Sequence, residues 1–291
     1  MKILIAEDDT PSRLVFGAIL RKLGYTVTAV VDGRKAWRAW QQDHYSLLIS
    51  DWMMPDIDGL ELCKMIRAEH SLQYTYIILL TSMDGKGSYL EGMKAGADDF
   101  ITKPIDEEYL AARLHVAQRI LALHKTLHLQ ATHDFLTGLW NRGAIMDNLQ
   151  KELMRAERWR TPISVIMVDL DHFKQVNDTY GHSTGDALLC EAASRIGALL
   201  RPSDRAGRYG GEEFLIIVPN CARDNALNLA ERIRRSISET PVHIQSESIS
   251  MTISLSVATH SGEDSATLIG AADKALYRAK KAGRNRVEFS E

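Results

Sequence analysis

Residues 208–218, RYGGEEFLIIV, place two glycines and two glutamates directly before an apolar run. The apolar run is short enough for one buried strand, and residues 205–209 precede the turn. Glycine takes the positive-φ conformations of tight primed turns without strain, so Gly210 and Gly211 predict a β-hairpin. Glu212 and Glu213 would then lie at its tip, within reach of a metal ion or solvent. A solvated acidic turn is the alternative for a motif that stands alone.

A second acidic segment ends another predicted strand. The apolar residues 163–168 run directly into Asp169 and Asp171. A carboxylate at a strand end beside an acidic hairpin suits Mg²⁺, which takes few protein oxygens and leaves room for substrate phosphates. The loop from Asp171 to Lys174 can turn its N–H groups and the lysine amine toward phosphate oxygens. Asp186 would lie near the start of the following helix, where a carboxylate can also act as a cap.

Together these segments resemble the GGDEF family, the diguanylate cyclases. Four motifs carry the resemblance: DFLTGLWNR at 134–142, the block 169–186, GGEEF at 210–214 and YRAKKAGRN at 277–285. Because the four stand in the family's order, the resemblance is specific. It implies an α+β domain at residues 134–291, similar to the palm of nucleotide cyclases and polymerases. It also implies that two GTP molecules condense into cyclic di-GMP and two pyrophosphates, each 3′-hydroxyl attacking the α-phosphate of the other.

The resemblance assigns roles to the acidic residues. Asp169, Glu212 and the Leu170 carbonyl would hold two Mg²⁺ ions, which suits phosphoryl transfer because that chemistry is mostly positioning and charge neutralisation. Glu212 is also the family's usual proton acceptor, and Glu213 remains an alternative base. Lys174 would stabilise the phosphate charge.

Further residues would bind the substrate. Lys280 and Arg284 stand four apart, so we expect them to share one helical face toward the triphosphate, with a solvated basic helix end as the alternative. Asp186 would accept from guanine N1–H and N2–H₂, and Asn177 would pair with guanine acceptors. Adenine would leave a buried carboxylate unpaired at this point and would be rejected. Two more contacts carried over from the family are Phe173 and His182.

The tetrapeptide RPSD at residues 201–204 precedes the GGEEF motif. RxxD is common by itself, but at this offset it resembles the family's product-inhibition motif. Arg201 and Asp204 would then bind guanine and phosphate of intercalated cyclic di-GMP. Arg232 and Arg155 are further candidate contacts.

The first half alternates short apolar runs with amphipathic segments. The predicted strands are residues 2–6, 26–30, 47–50, 76–80 and 100–102. This rhythm predicts a doubly wound parallel sheet covered by helices on both faces. Ligands of such sheets bind outside the carboxyl ends of the strands. Polar residues stand there: Glu7, Asp8 and Asp9 after the first strand, Asp51 after the third, Thr81 after the fourth and Lys103 after the fifth.

This arrangement resembles the flavodoxin-like response-regulator receiver domain, at residues 1–122. The resemblance makes Asp51 the phosphoacceptor of a sensor histidine kinase. One Mg²⁺ would be held by Glu7, Asp8, Asp51 and the Met53 carbonyl. Thr81 and Lys103 would contact the phosphoryl group. Phe100 would be the switch aromatic. Asp9 is the less suitable ligand because it begins the next helix. A phosphoryl group adds nearly two negative charges and three acceptor oxygens, which bias a two-state surface.

Residues 104–133 contain no glycine and predict one long helix. Its first half would pack on the receiver sheet, whereas residues 120–130 have no domain of their own to cover. The spacing of Val116, Ile120, Leu123 and Leu127 is that of a coiled-coil seam. Residues 123–133 are therefore predicted to form the stalk of a parallel homodimer, which would bring two GTP-bound domains face to face. The nearby His124 and His128 are expected to be solvated.

Composition narrows the class of protein. The length of 291 residues suggests two domains, and a net charge of −3 gives no basic field for nucleic acid. The cysteines at 63, 190 and 221 are scattered, as in a reducing compartment. We expect a cytoplasmic protein without a membrane role, because the chain has no spanning apolar run and starts with a strand pattern instead of a signal peptide.

Three other functions compete with a regulated cyclase. A non-catalytic cyclic di-GMP receptor and a GTP-binding regulator would both tolerate a damaged GGDEF motif, but GGEEF is intact. A cyclase that makes mixed purine products would be indicated by a small residue at position 186, where Asp stands.

Overall fold

The computed structural model describes residues 1–69, 74–82, 86–244 and 247–290, with the backbone alone for residues 86–89. The chain divides into two compact units, Met1–Leu129 and Gln130–Glu291. The division falls inside the predicted stalk. The domain limits drawn from the sequence, 1–122, 123–133 and 134–291, remain a proposal.

The first unit is a parallel five-stranded sheet with helices between the strands, which confirms the predicted flavodoxin-like fold. Its elements are β1 (Lys2–Ala6), α1 (Thr10–Lys22), β2 (Thr26–Val30), α2 (Gly33–Gln42), β3 (Leu47–Asp51), α3 (Gly59–Ala68), β4 (Tyr76–Thr81), α4 (Lys86–Ala95), β5 (Asp99–Thr102) and the start of α5 (Glu107–Thr132). The strand order is β2-β1-β3-β4-β5. The third and fourth strands each end one residue later than predicted, so they include Asp51 and Thr81.

Local sequence explains why these elements form. Strands β3 and β4 are buried along their whole length, as expected for a sheet covered on both faces. Asp9, Asp32 and Asp58 each cap a following helix by accepting a bond from a backbone N–H of its first turn. The carboxyl ends of the strands therefore lead through capped turns into α1, α2 and α3, which leaves the sheet edge to Asp51 and its neighbours.

Helix α5 is the predicted long helix, and part of its seam is exposed. Leu123 and Leu127 are 59% and 53% exposed. The expectation that residues beyond Ile120 have nothing to pack on is wrong in part. Ile120 and Leu121 pack against the receiver core, and the His124 ring stacks on Tyr74 with centroids 4.0 Å apart. The His124 ring therefore packs on one side against Tyr74, although the residue as a whole is exposed.

The second unit is an antiparallel sheet with helices on both faces. Its elements are α6 (Arg142–Trp159), β6 (Ile163–Leu170), α7 (Phe173–Tyr180), α8 (His182–Leu199), β7 (Arg205–Arg208), β8 (Glu213–Pro219), α9 (Arg223–Ser238), β9 (Val242–Ile244), β10 (Glu247–Ile249), β11 (Ile253–Thr259), α10 (Ser265–Lys281) and β12 (Val287–Phe289). The order is β12-β11-β6-β8-β7, with only β12 parallel to its neighbour. Strands β9 and β10 form a separate antiparallel pair.

The sheet of the second unit has two cores because side chains alternate along each strand. Ile166, Val168 and Ile216 face α8 and α9. Val165 and Met167 face α6 and α10 on the opposite side. Strand β6 lies at the centre and is buried throughout, so its carboxyl end is a rigid place for functional side chains. In the described part of the chain, no helix has the length and apolar character to cross a membrane.

Candidate active site and phosphoacceptor site

The GGEEF motif forms the predicted hairpin between β7 and β8. The amides of Tyr209 and Gly210 both donate to the Glu213 carbonyl, at 2.8 and 3.2 Å. The expected primed turn with positive φ is wrong, because neither Gly210 nor Gly211 has a positive φ. Gly210 serves another purpose: a Cβ there would lie 2.5 Å from Glu213 Oε2. Glycine gives the Glu213 carboxylate this room, and a larger residue would require that flexible side chain to shift.

The tip of the β7–β8 hairpin and the end of β6 form an acidic cluster. Asp169 of β6 pairs in register with Glu213, and the Leu170 amide donates to the Glu212 carbonyl at 3.3 Å. Burial raises the pKa of both glutamates, and the charge of Asp169 raises them further. Burial also raises the pKa of Asp169, although its hydrogen bond with Lys280, 2.7 Å long, opposes the shift.

The donor set of this cluster suits a divalent cation. The charge of Asp169 raises the pKa of both glutamates, Lys280 compensates it only in part, and hard oxygens are the ligands of Mg²⁺. Asp169, Glu212 and the Leu170 carbonyl fit the ion in chemistry, and Asp169 pairs with Glu213, the residue after Glu212. Among the residues described, the one group of three possible ligands within 4.8 Å of one another is in the first unit. In the second unit, the group that lies directly beside the Asp169 carboxylate is the Lys280 amine.

Asp171, the second carboxylate of the segment, is fully engaged. It is buried and accepts from the Thr252 and Ser254 hydroxyls, both at 2.7 Å, and from the Asn285 amide at 3.0 Å. Its own amide donates to the Thr252 carbonyl at 2.9 Å. The expectation that this N–H turns toward phosphate is therefore wrong, because the amide joins β6 to β11.

The phosphate-facing loop is shorter than expected because α7 begins at Phe173. His172 precedes it with φ 58° and makes no side-chain cap bond. The first turn of α7 therefore carries the amides and the exposed Lys174 that were predicted to meet phosphate. The Phe173 ring lies in the core, so its predicted substrate contact can involve only its backbone.

The predicted base-binding residues lie on two helices instead of one. Asn177 is in α7, and His182 and Asp186 are in α8, beyond a turn at Gly181 with φ 86°. Asn177 Oδ1 is buried and has no hydrogen-bond partner among the described residues. A Cβ at Gly185 would lie 1.9 Å from it, so the carboxamide packs on that glycine.

Asp186 lacks the burial on which the predicted rejection of adenine depends. Asp186 and His182 are both exposed, so Asp186 is not a buried carboxylate in this structure. Its desolvation, and with it the penalty for an unpaired carboxylate, requires that a bound base cover it.

The two cations near the C-terminus do not share a helical face. Helix α10 ends at Lys281, and Gly283, Arg284 and Asn285 follow with φ of 109°, 61° and 45°. Lys280 therefore belongs to the last turn of the helix, whereas Arg284 lies in a left-handed turn beyond it. The four-residue spacing predicted a shared helical face, but α10 ends before it reaches Arg284.

The RxxD residues lie between α8 and β7. Asp204 is buried and accepts from the Arg201 amide at 2.9 Å, while the Arg201 side chain is exposed. Arg232 is exposed on α9. Arg155 lies on α6, which covers the opposite face of the sheet, and pairs with Glu152 at 2.8 Å.

The acidic residues of the first unit come together at the sheet edge. Ligand oxygens of Glu7, Asp8 and Asp51 lie within 4.8 Å of one another. Lys103 Nζ is 2.7 Å from Asp51 and 2.8 Å from Glu7. Burial raises the pKa of Glu7, and its Oε1 is buried with no hydrogen-bond partner among the described residues. An oxygen-seeking cation such as Mg²⁺ fits this orphaned acceptor.

The remaining predicted receiver residues surround this cluster. The Lys103 amide donates to the Thr81 carbonyl at 2.9 Å, which joins the ends of β4 and β5. Met53 follows Asp51 by two residues with an exposed side chain. Asp9 caps α1 through the Ser12 amide at 2.9 Å, as its place before the helix suggested.

Phe100 is packed inward against α4. Its ring centroid is 6.0 Å from that of Trp52, the residue after Asp51. A Cβ at Gly92 would lie 2.4 Å from the Phe100 ring. The inward position of the switch aromatic therefore depends on a glycine in α4.

One link between motifs was missed from the sequence. Arg208 Nη1 lies 3.2 Å from Asp134 Oδ2, while its Nε and Nη2 donate to the Gly211 carbonyl at 3.1 and 2.7 Å. The Asn141 amide donates to the carbonyl of Thr132, the last residue of α5. The end of α5, the Asp134 turn and the GGEEF turn are thus bonded in series. Both partners stood in recognised motifs, but nothing in their spacing indicated the pairing.

Family models match both units. Residues 131–286 match the diguanylate cyclase, GGDEF domain. The chain belongs to the GGDEF family. Residues 3–115 match the response regulator receiver domain, so this GGDEF protein carries a receiver. The predicted combination of the two domains is confirmed.

Two curated proteins are similar to most of this GGDEF chain. The chain is 34% identical over 254 residues to the response regulator PleD of Caulobacter vibrioides, covering 83% of the chain and 56% of PleD. It is 35% identical over 216 residues to the diguanylate cyclase DgcP of Pseudomonas aeruginosa, covering 70% of the chain and 32% of DgcP. The chain thus spans about half or less of these relatives' length.

Solved GGDEF structures have the same fold. The coiled coil and GGDEF domain of DgcB from Caulobacter crescentus, in complex with c-di-GMP, is 36% identical with a TM-score of 0.59. It covers 63% of this chain and 98% of that one. The GGDEF domain of DgcB alone, also with c-di-GMP, is 40% identical with a TM-score of 0.54, covering 55% of this chain and 96% of that one.

Proposed function

We propose that this protein is a diguanylate cyclase controlled by phosphorylation, which condenses two GTP molecules into cyclic di-GMP and two pyrophosphates. One observation carries the proposal. Asp169 at a rigid strand end lies in register with the hairpin tip, within 2.7 Å of Lys280. An intact acidic cluster with an adjacent cation is suited to phosphoryl transfer, which depends on placed charges more than on nucleophiles.

The acidic cluster would bind Mg²⁺ and move a proton. Asp169, Glu212 and the Leu170 carbonyl would hold the ions, which when bound neutralise triphosphate charge. Because burial and Asp169 raise the pKa of Glu212 and Glu213, either glutamate is a suitable acceptor for the proton of the 3′-hydroxyl. Lys280 is already held by Asp169, so it is placed to meet a phosphate oxygen bound beside that carboxylate.

Guanine would bind between α7 and α8. Asn177 offers its amide N–H₂ for guanine acceptors, while its buried carbonyl oxygen packs against Gly185. Asp186 would accept from N1–H and N2–H₂ once the base covers it. His182 would lie beside the base, and Lys174 at the start of α7 would bind phosphate.

Control would act through Asp51 and a dimer. A phosphoryl group from a sensor histidine kinase would meet Lys103 and Thr81, with one Mg²⁺ on the neighbouring carboxylates. Each GGDEF domain would supply one GTP, so two copies must face each other. The exposed Leu123 and Leu127 support a paired stalk for this homodimer. A cytoplasmic location remains a prediction from the sequence.

Product inhibition would use the RxxD turn. Asp204 holds the turn through the Arg201 amide and leaves the Arg201 guanidinium exposed to bind guanine or phosphate of cyclic di-GMP. Arg232 is exposed on α9 and is a further candidate. Arg155 covers the other sheet face, so its contribution would be to product held between two copies.

Incubation of the full chain with GTP and Mg²⁺, with chromatography of the products, tests the proposal. We expect cyclic di-GMP and pyrophosphate from the wild type, and a loss of at least about 100-fold in Asp169→Asn and Glu212→Gln. Asp147→Asn removes an exposed carboxylate on α6 and is the matched control. Cyclic di-GMP binding without turnover would refute the cyclase and favour a receptor. Near-normal turnover in either site variant would refute the metal assignment.

A further inference from the structure

The turn that follows α10 is held in an unfavourable backbone conformation. Gly283, Arg284 and Asn285 have φ of 109°, 61° and 45° in succession. Left-handed backbone is unfavourable for a residue other than glycine, although Asn tolerates it better than most. Such a run persists only where surrounding groups hold it.

Two side chains from distant elements hold this turn at Asn285. Asp171, at the end of β6, accepts the Asn285 amide at 3.0 Å. Arg234 of α9 donates through Nη1 to Asn285 Oδ1 at 2.7 Å. Asn285 is exposed overall, yet it is bonded through its backbone on one side and its side chain on the other.

Both holding residues are themselves fixed. Asp171 is buried and accepts two hydroxyl bonds from β11 and the residue before it. Arg234 Nε and Nη2 donate to the two carboxylate oxygens of Glu231, each at 2.8 Å. Chiefly through the bond with Arg234, the pKa of Glu231 is lowered to about 2, so Glu231 stays ionised at neutral pH. The Arg234 side chain is only 18% exposed.

The held turn carries Arg284 toward the acidic cluster. Arg284 is the residue before Asn285, and its charge contributes to the electrostatic environment of Asp169, where burial is the largest influence on the pKa. The strand end that bears Asp169 bears Asp171 two residues later. The same rigid strand therefore places both the carboxylate of the site and the turn that carries Arg284.

We infer that Asp171 and Arg234 are positioning residues that clamp Asn285 and thereby aim Arg284 at the triphosphate of GTP. The inference rests on the proposed function. Neither residue touches the reacting atoms in this scheme. Loss of the clamp frees the turn to leave its left-handed conformation, and Arg284 then spends less time facing the phosphates. The consequence falls on recognition of the triphosphate and leaves recognition of the base unchanged.

The chain offers a matched pair of variants. Arg234 and Arg235 both donate to Glu231, at 2.8 and 2.9 Å, but only Arg234 has a bond with Asn285. Arg234→Met removes the clamp, whereas Arg235→Met removes only the ion pair.

The experiment measures nucleotide binding by calorimetry on the full chain with Mg²⁺, using α-thio-GTP and GMP as probes. We expect Arg234→Met to weaken α-thio-GTP binding about threefold to tenfold and to leave GMP binding within about twofold, because only the triphosphate meets Arg284. Arg235→Met should match the wild type. In initial-rate assays, KM for GTP should rise more than kcat falls.

A double-mutant cycle decides whether the effect passes through Arg284. In an Arg284→Ala background, Arg234→Met should have no further effect on α-thio-GTP binding. The clamp would be overturned if Arg234→Met weakened α-thio-GTP binding equally with and without Arg284. It would also be overturned if Arg234→Met weakened the binding of both probes equally, or if Arg235→Met weakened binding as much as Arg234→Met does. A wild type that binds neither nucleotide would instead refute the proposed function itself.

Discussion

Replacement of Arg208 by methionine tests how the Asp134 turn, at the start of the GGDEF domain, is joined to the GGEEF turn. The guanidinium donates twice to the Gly211 carbonyl, at 3.1 and 2.7 Å, and pairs with Asp134 at 3.2 Å. Methionine keeps most of the length and apolar character of the side chain. The variant therefore removes the polar contacts with little change in packing.

The magnitude follows from the burial of the partners. The side chains of Arg208 and Asp134 are only 17% and 15% exposed, so the pair is shielded more than a surface ion pair. Hydrogen bonds from a charged group are worth about 1.5–3 kcal/mol, and we expect a total loss of about 2–4 kcal/mol in the unfolding free energy of the second unit. Because Gly211 adjoins Glu212, a shift of the turn should lower kcat by about 10- to 100-fold.

The destabilisation should depend on pH. Burial would raise the pKa of Asp134, but bonds from Thr137 and Arg208 outweigh it, and the pKa lies below the ordinary 3.8. A folded-state pKa below the unfolded value means that the stabilisation is present above pH 3.8 and is lost as the pH falls through the folded pKa. The difference between wild type and Arg208→Met should therefore narrow in acid.

Scanning calorimetry of the full chain and initial rates with GTP would check both effects. The transition of the second unit should shift downward by about 5–15 °C, while that of the receiver stays in place. Arg205→Met is the matched control: Arg205 lies on the same strand and bonds the Asp204 carbonyl at 2.9 Å, away from the GGEEF turn. Unchanged kcat and melting in Arg208→Met, or the same kcat loss in Arg205→Met, would refute the reasoning.

Three further predictions concern metal, control and inhibition. Burial raises the folded pKa of Asp169 above 3.8 and that of Glu212 above 4.5. The stability of the metal-free protein should therefore fall as the pH rises through those values, and Mg²⁺ should restore it. Melting curves with EDTA or Mg²⁺ from about pH 4 to 8 measure this. Beryllofluoride should raise cyclase activity about 5- to 100-fold in the wild type but not in Asp51→Asn, in turnover assays paired with light scattering. Arg201→Ala should leave initial rates similar and let product accumulate further; Asp204 is left intact because it holds the turn.

Each of these has an outcome that contradicts it. Identical melting curves with EDTA and Mg²⁺ across the pH range would remove the metal from the acidic cluster. Activation of Asp51→Asn by beryllofluoride, or none in a wild type shown to bind it, would mean that the receiver is not the switch. An inhibition curve unchanged by Arg201→Ala would place product control elsewhere.

The alternation of strands and helices in the first unit was predictable because it depends on short-range patterns. Apolar runs of strand length, and an aspartate before each of the first three helices, are local signals that the parallel sheet confirms. The receiver and GGDEF domains were likewise recognisable from the order of their motifs. In these respects local sequence was sufficient, since each signal concerns neighbours along the chain.

Contacts between distant residues were decided only by the tertiary structure. Arg208 and Asp134 are 74 positions apart, and Asn285 and Asp171 are 114 apart. No local pattern pairs such residues, because their meeting depends on how strands align and helices pack.

Gly210 shows the same limit on a smaller scale. Its glycine character suggested a turn conformation, whereas in the fold it leaves room for the side chain of Glu213. Lys280 and Arg284 were separated by the end of α10, which their spacing did not reveal. Local sequence indicated which elements form and which side chains are candidates for the chemistry. Packing decided which of those side chains meet, because the distance between two atoms in space is set by every element between them.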